Sequence, residues 1–331
     1  MKIFVKDVER TPDSVYNSTA NNGRSISNPY SFSPRIKSKH VQWIRPVPET
    51  YSALGKLDIP DDINTVLWTD RSPLFYTGFN TSVWSLHEYM LNPSLYDFNK
   101  PFPKKRNVQI IMEPPAGCGE IYNIPVTQPA YRNKFDVILT HNLELCSKHE
   151  KFKWYPWGTS LLDNEDEFQI YPKDKLVSYV YSFKAWWEGH KFRHQVGETL
   201  RANDKFKFVD ILGPLGIKDY VSKISTLKRY HYSVQIENQK VDDFFSDKII
   251  DSFLTGTIPI YRGTNNIGKY FDKRGIITFD EESELLEILA NLTPDYYYKN
   301  IEAITHNFNE AKKYISPDDW IYLNYGNEVF I

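Results

Sequence analysis

Between Leu176 and Tyr261, apolar runs of strand length alternate with amphipathic runs of helix length, and this alternation admits few folds. Leu176 to Tyr181, Phe208 to Leu212, Tyr232 to Ile236 and Ile258 to Tyr261 are predicted strands, while Phe192 to Ala202 and Ser246 to Leu254 are predicted helices. Helices interposed between strands are crossovers, so the strands pair in parallel and the sheet is covered on both faces. Such α/β sheets bind their ligands outside the C-terminal ends of the strands.

The first half carries the same signals more sparsely. Strands are predicted at Val41 to Ile44, Thr65 to Trp68, Asn107 to Met112 and Phe135 to Thr140, with helical character from Thr81 to Leu91. The strand NVQIIM stops at Glu113-Pro114-Pro115, where two prolines end regular pairing and leave a carboxylate just past a strand end. A chain of 331 residues exceeds one ordinary core. The pattern breaks between Tyr155 and Asp174, through Pro156, Gly158, the acidic cluster Asp163 to Glu167 and Pro172. Two domains are therefore expected, residues 1–170 and 171–331. An irregular arm is expected at about 11–40, and the final helical segment is a candidate to return to the first domain.

Forty basic residues against 42 acidic ones leave a net charge of −2, so no global field recruits nucleic acid or anionic lipid, and any anion binding is local. Cys118 and Cys146 form no disulfide framework and fit no zinc spacing. Charges at Lys2, Lys6, Asp7, Glu9 and Arg10 interrupt any signal-peptide core, and no segment reaches transmembrane length. The chain is therefore expected in the cytoplasm, with the sequons at Asn17, Asn80 and Asn291 unglycosylated. Aromatic residues make up 15% of the chain, a heavy load that core packing mostly accounts for, although such rings also often line polar ligand grooves. Trp186 and Trp187 are candidates both to stack on a base or sugar and to anchor a loop.

The segment from Lys228 to Gly263 places a strand, a polar loop and a helix N-terminus in order. Ser246 is a predicted N-cap, Asp247 lies in the first turn and Lys248 follows, so free N–H groups, partial positive charge and a cation coincide where a diphosphate would sit. Alone, that triplet describes any capped surface helix. Its company is more telling: Asn238 stands at a strand end, and GTIPIYRG forms a small-residue turn into an apolar strand.

This stretch, read as YHYSVQIEN, SDKIIDSF and GTIPIYRG, resembles the donor-binding part of the family ten glycosyltransferases, the fucosyltransferases. Upstream, KLVSYVYSFKAWWEGHKFRHQVGETL resembles that family's Lys, apolar, Ser strand followed by an Arg-bearing helix. IIMEPP with FDVILTHN resembles its acceptor-side strand. The resemblance covers roughly Asn107 to Leu289. It implies a GT-B fold, two Rossmann-like domains with parallel sheets facing across a cleft, the first on the acceptor side and the second binding the nucleotide sugar. It implies Glu113 as general base and a donor-binding set of Ser178, Ser182, Arg193, Glu237, Asn238, Phe244, Asp247 and Lys248. Glu120 and Asp70 are reserves for the base. Phe244, Ser246 and Asp247 stand where the family has Tyr, Thr and Glu, a departure in the loop that reads ribose and sugar.

The implied activity is transfer of L-fucose from GDP-fucose to a glycan hydroxyl with inversion. One-step inversion needs a carboxylate to take the acceptor proton and positive charge to hold the departing diphosphate. Glu113, and Arg193 with Lys248, supply these. No Asp-X-Asp triplet occurs, so no essential metal or cofactor is expected beyond the nucleotide-sugar donor. Two other readings remain open: a GT-B transferase using a UDP-sugar such as UDP-xylose, as exostosin-like enzymes do, and an inactive glycan- or nucleotide-binding module.

Overall fold

The computed structural model describes the strands at 2–6, 42–44 and 65–69, Lys39, and residues 106–329 apart from 112–113, 119–121 and 216–220. The predicted helix from Thr81 to Leu91, the irregular arm, Asp70, Glu113 and Glu120 lie outside the described residues. The chain divides into two compact units, Met1–Trp157 with Ser316–Ile331, and Gly158–Ile315.

The first unit contains a parallel sheet of β1 (Lys2–Lys6), β2 (Gln42–Ile44), β3 (Thr65–Thr69), β4 (Arg106–Ile111), β5 (Val137–Thr140) and β6 (Phe152–Trp154), in the order β2-β1-β3-β4-β5-β6. All of β5, and β4 beyond Arg106, is buried, as expected of parallel strands covered on both faces. Val108, Ile110, Val137 and Leu139 pack with Tyr155 and with Ile321 and Val329 of the C-terminal helix Pro317–Val329. β3 ends at Thr69, so Asp70 follows a strand directly, whereas Glu113 comes two residues after the end of β4.

The boundary falls between Trp157 and Gly158 rather than near residue 170. The stretch that reads as a connection is bonded into the second unit. Ser160 Oγ and the Leu161 N–H donate to the Asp251 carboxylate at 2.7 and 3.2 Å, and the Gln169 N–H donates to Leu254 O at 3.0 Å. Its prolines and acidic residues suppress periodicity without making it a free linker.

The second unit is built from β7 (Lys175–Ser182), α1 (Glu188–Ala202), β8 (Val209–Leu215), β9 (Tyr230–Ile236), α2 (Asp247–Leu254), β10 (Ile258–Arg262), β11 (Ile277–Thr278) and α3 (Glu282–Asn291). All strand pairs are parallel and the order is β11-β10-β9-β7-β8. The chain steps outward from β7 to β8, then returns to lay β9 on the other side of β7. Between β7 and β9 lies the topological switch point, where crossovers diverge and leave a crevice at the strand ends. Every residue of β9 is buried. Val177, Tyr179, Val234, Ile236 and Ile260 pack with Val196 and Leu200 of α1 and Leu285 of α3. At about 1.5–3 kcal/mol per large apolar side chain, that packing fixes where α1 carries Arg193.

α2 is more deeply set than an amphipathic surface helix, since Asp251 and Ser252 are buried beside Ile249, Ile250, Phe253 and Leu254. Burial raises the Asp251 carboxyl to about 7, against the pull of Lys223 at 3.7 Å. In the folded chain Asp251 thus holds a proton that the unfolded chain releases near the ordinary carboxylate value. The unfolded state binds fewer protons in that window, so this group costs stability progressively as pH rises from about 4 to 7. Urea unfolding midpoints between pH 4.5 and 7.5 are expected to decline less for Asp251→Asn than for the native chain; equal slopes would contradict a raised Asp251.

Candidate anion-binding site

Both strands that border the switch point lead into predicted site residues. β7 ends at Ser182, half-buried, and the chain then turns into α1. β9 ends at Ile236 and is followed by Glu237 and Asn238. α1 starts at Glu188, four residues before its predicted start, because the polar segment Glu188 to Lys191 offers no apolar periodicity to read.

Arg193 is buried and reaches the end of β9. Its Nε donates to Ile236 O at 2.9 Å, and Nη2 donates to the same carbonyl and to Asn238 Oδ1 at 2.8 Å. Nη1 and Asn238 Nδ2 carry no hydrogen bond among the described residues. Gly189 closes the same junction: its N–H donates to Asn238 O at 3.0 Å, and a Cβ there would lie 2.0 Å from Glu237 O. His190 stacks on Trp187 and accepts the Trp187 N–H through Nδ1 at 3.4 Å. Burial first, then Arg193, Lys184 and Lys248, pull its pKa down to about 3, so near neutral pH it is an uncharged imidazole.

Glu237, 1% exposed, holds the other half together. Its carboxylate accepts the Ser246 N–H at 3.0 Å, the Ser246 hydroxyl at 2.9 Å and the Lys248 ammonium at 3.0 Å. Lys248 also donates to Ser246 Oγ at 2.9 Å. Ser246 therefore occupies the N-cap position of α2 without capping it, its hydroxyl being spent on Glu237. Among the described residues no side chain caps the α2 N-terminus, which thus presents N–H groups and partial positive charge with Lys248 held beside them. Asp247 lies 3.4 Å from Lys223 and 4.0 Å from Lys248. Burial raises its carboxyl, but Lys248, Lys223 and Arg193 outweigh that and hold it below the usual range.

The predicted residues thus separate into three groups. Asn238, Asp247, Lys248 and Ser182 stand at strand ends or the helix start, and the Arg193 guanidinium reaches the same place from within α1. Glu237 is a buried support beneath them rather than a surface contact. Ser178 lies inside the sheet with its hydroxyl donating to Ser233 Oγ at 2.9 Å, four residues short of the end of β7. Phe244 is packed away at 2% exposure. Lys223, Gly189 and His190 complete the cluster. A lysine at the start of a short 3-10 helix, and a glycine and a histidine in the first turn of α1, give no signal in a single sequence.

No protein-family model matches the chain. It is 29% identical over 168 residues to "Putative fucosyltransferase R654" of Acanthamoeba polyphaga mimivirus, a match covering 45% of this chain. Over that stretch the sequence is similar to a putative fucosyltransferase. It spans about a quarter, 26%, of that viral protein's length. Among solved structures, an α1,3-fucosyltransferase crystallised with GDP-fucose is 12% identical with a TM-score of 0.48, covering 95% of this chain and 90% of that one. TarM is 10% identical with a TM-score of 0.46, covering 81% and 55%. Two parallel α/β units in one chain are the components that the fucosyltransferase resemblance implies for a GT-B fold. Among the described residues no helix is long and apolar enough to cross a membrane.

Gly189→Ala is expected to lower stability by about 2 kcal/mol through overpacking at the strand end, read by urea unfolding. Native stability in that variant would contradict the tight junction.

Proposed function

We propose that the chain is an inverting glycosyltransferase that moves a sugar from a nucleotide donor, L-fucose from GDP-fucose, onto a glycan hydroxyl. One observation carries the reading: Arg193, Asn238 and Lys248, separated in sequence, converge with the α2 N-terminus at the switch point of a parallel sheet. Such a site suits a diphosphate, because it offers charge-assisted donors and free backbone N–H groups together. The sequence similarity to the mimivirus protein supports fucose as the sugar.

In the proposed reaction a carboxylate from the first unit removes the acceptor hydroxyl proton as the oxygen attacks the anomeric carbon. The bond from that carbon to the diphosphate breaks from the opposite face, and the nucleoside diphosphate leaves with the electron pair. Arg193 and Lys248 bear its new charge, as hydrogen-bond donors placed before the reaction begins. Glu113 is the proposed base, with Asp70 and Glu120 as the alternatives.

A donor panel tests the reading: purified protein is expected to release GDP from GDP-fucose and to bind GDP. Failure to bind, hydrolyse or transfer from GDP-fucose, UDP-xylose or other nucleotide sugars would sink it, and turnover of UDP-xylose alone would move it to the UDP-sugar class. Lys248→Ala and Arg193→Ala should each weaken GDP binding about 10- to 100-fold, the loss typical of a charged hydrogen-bond partner, as measured by calorimetry. Glu113→Gln should abolish transfer while GDP affinity stays native. If Asp70→Asn has that effect instead, the base is Asp70.

A further inference from the structure

The loop joining β9 to α2 contains a residue whose backbone is strained. Asp243 has φ of +62°, in the left-handed region that costs a non-glycine residue on the order of 1 kcal/mol, though Asp tolerates it better than most. Such a conformation persists only where its surroundings over-determine it. Here they do, and all the partners come from one segment, the residues that follow β10.

The Asp243 N–H donates to Thr264 Oγ1 at 2.9 Å and to Asn266 Oδ1 at 3.0 Å. Its Oδ1 accepts Asn266 Nδ2 at 2.7 Å and the Tyr270 hydroxyl at 2.6 Å, with Lys269 Nζ at 3.4 Å. Thr264 Oγ1 in turn donates to Asn266 Oδ1 at 2.5 Å, tying the partners to one another. Backbone and side chain of one residue are thus gripped together. Immediately after it Phe244 and Phe245 are buried, Phe245 against Tyr270, Phe271 and Tyr314. The next residues are Ser246, Asp247 and Lys248.

We infer that Asp243 is a positioning residue: it clamps the β9–α2 loop to the segment Thr264 to Tyr270, and so sets the α2 N-terminus and Lys248 in the geometry that receives a diphosphate. The inference rests on the donor-site reading for its function, but the clamp can be measured without any ligand. Lys248 has one ammonium hydrogen beyond those given to Glu237 and Ser246, so a small displacement of the helix start changes what it can reach. A clamp of this kind also couples the loop after β10 to the diphosphate site, since Asn266 and Tyr270 feel any movement of Asp243.

Three substitutions separate backbone conformation from clamp. Asp243→Asn keeps the acceptor oxygen and a tolerance for the left-handed conformation, Asp243→Gly keeps the conformation and the backbone N–H but loses the side-chain acceptor, and Asp243→Ala loses both the acceptor and the tolerance. GDP affinity is expected within about threefold of native for Asp243→Asn, roughly tenfold weaker for Asp243→Gly and weaker still for Asp243→Ala, tenfold being the loss of one good hydrogen bond. Hydrogen exchange in the ligand-free chain should quicken in residues 239–248 of Asp243→Gly, with the sheet strands unchanged. Native exchange and native GDP affinity in Asp243→Gly would overturn the inference, as would an Asp243→Asn variant as impaired as Asp243→Ala. If the native chain binds no nucleoside diphosphate, the donor reading fails, while unchanged loop exchange in Asp243→Gly would independently remove the clamp.

Discussion

The second unit turns on a buried carboxylate that never reaches the surface. Glu237 sits one residue past the end of β9, its N–H donating to Arg262 O at 2.8 Å, so its own position is set by the neighbouring strand. From there it gathers the first backbone amide before α2, the Ser246 hydroxyl and the Lys248 ammonium. A carboxylate with less than this set of partners would be costly to bury. The bonds that stabilise it are the bonds that orient the lysine, so the stability of the strand end and the geometry of the site are one interaction. The family resemblance places Glu237 in the donor-binding set; in the structure it lies buried and holds Ser246 and Lys248.

Strand and helix order in the second unit was legible because parallel strands buried on both faces leave continuous apolar runs, as in Tyr232 to Ile236, and because Gly256 marks the end of a helix. The polar residues were legible in kind but not in role. Ser178 and Ser182 stand on the same strand and differ only in distance from its end, which a sequence pattern cannot weigh when one strand end is blurred by Ser182-Phe183-Lys184. Ser246 looked like a cap because Ser before an apolar run usually is one; a carboxylate nine residues upstream competes for its hydroxyl and wins. The linker assignment near residue 170 failed for a related reason. Prolines and acidic side chains hide a segment whose backbone is bonded to the buried Asp251 and to the end of α2. The clamp at Asp243 depends on a positive φ and on partners 21 to 27 residues away, neither of which composition or periodicity records.

Charge alone does not make this an anion site. Arg193, Lys223 and Lys248 are offset by Glu237 and Asp247 within the same cluster, and each cation lies against at least one carboxylate or carbonyl. His190, held neutral by burial and by the surrounding cations, adds no charge. What the cluster offers instead is a set of donors whose orientation is already fixed: Arg193 by Ile236 and Asn238, Lys248 by Glu237 and Ser246, and the N–H groups of α2 by the helix itself. A balanced, pre-oriented site gains little from an anion at long range and much from one whose oxygens meet those donors in place. In a transfer reaction the charge on the leaving diphosphate grows only as the glycosidic bond breaks, so donors fixed beforehand act most strongly at that moment. On the proposed reading, the ion pairs that lower the site's net positive charge are therefore what suits it to a developing negative one.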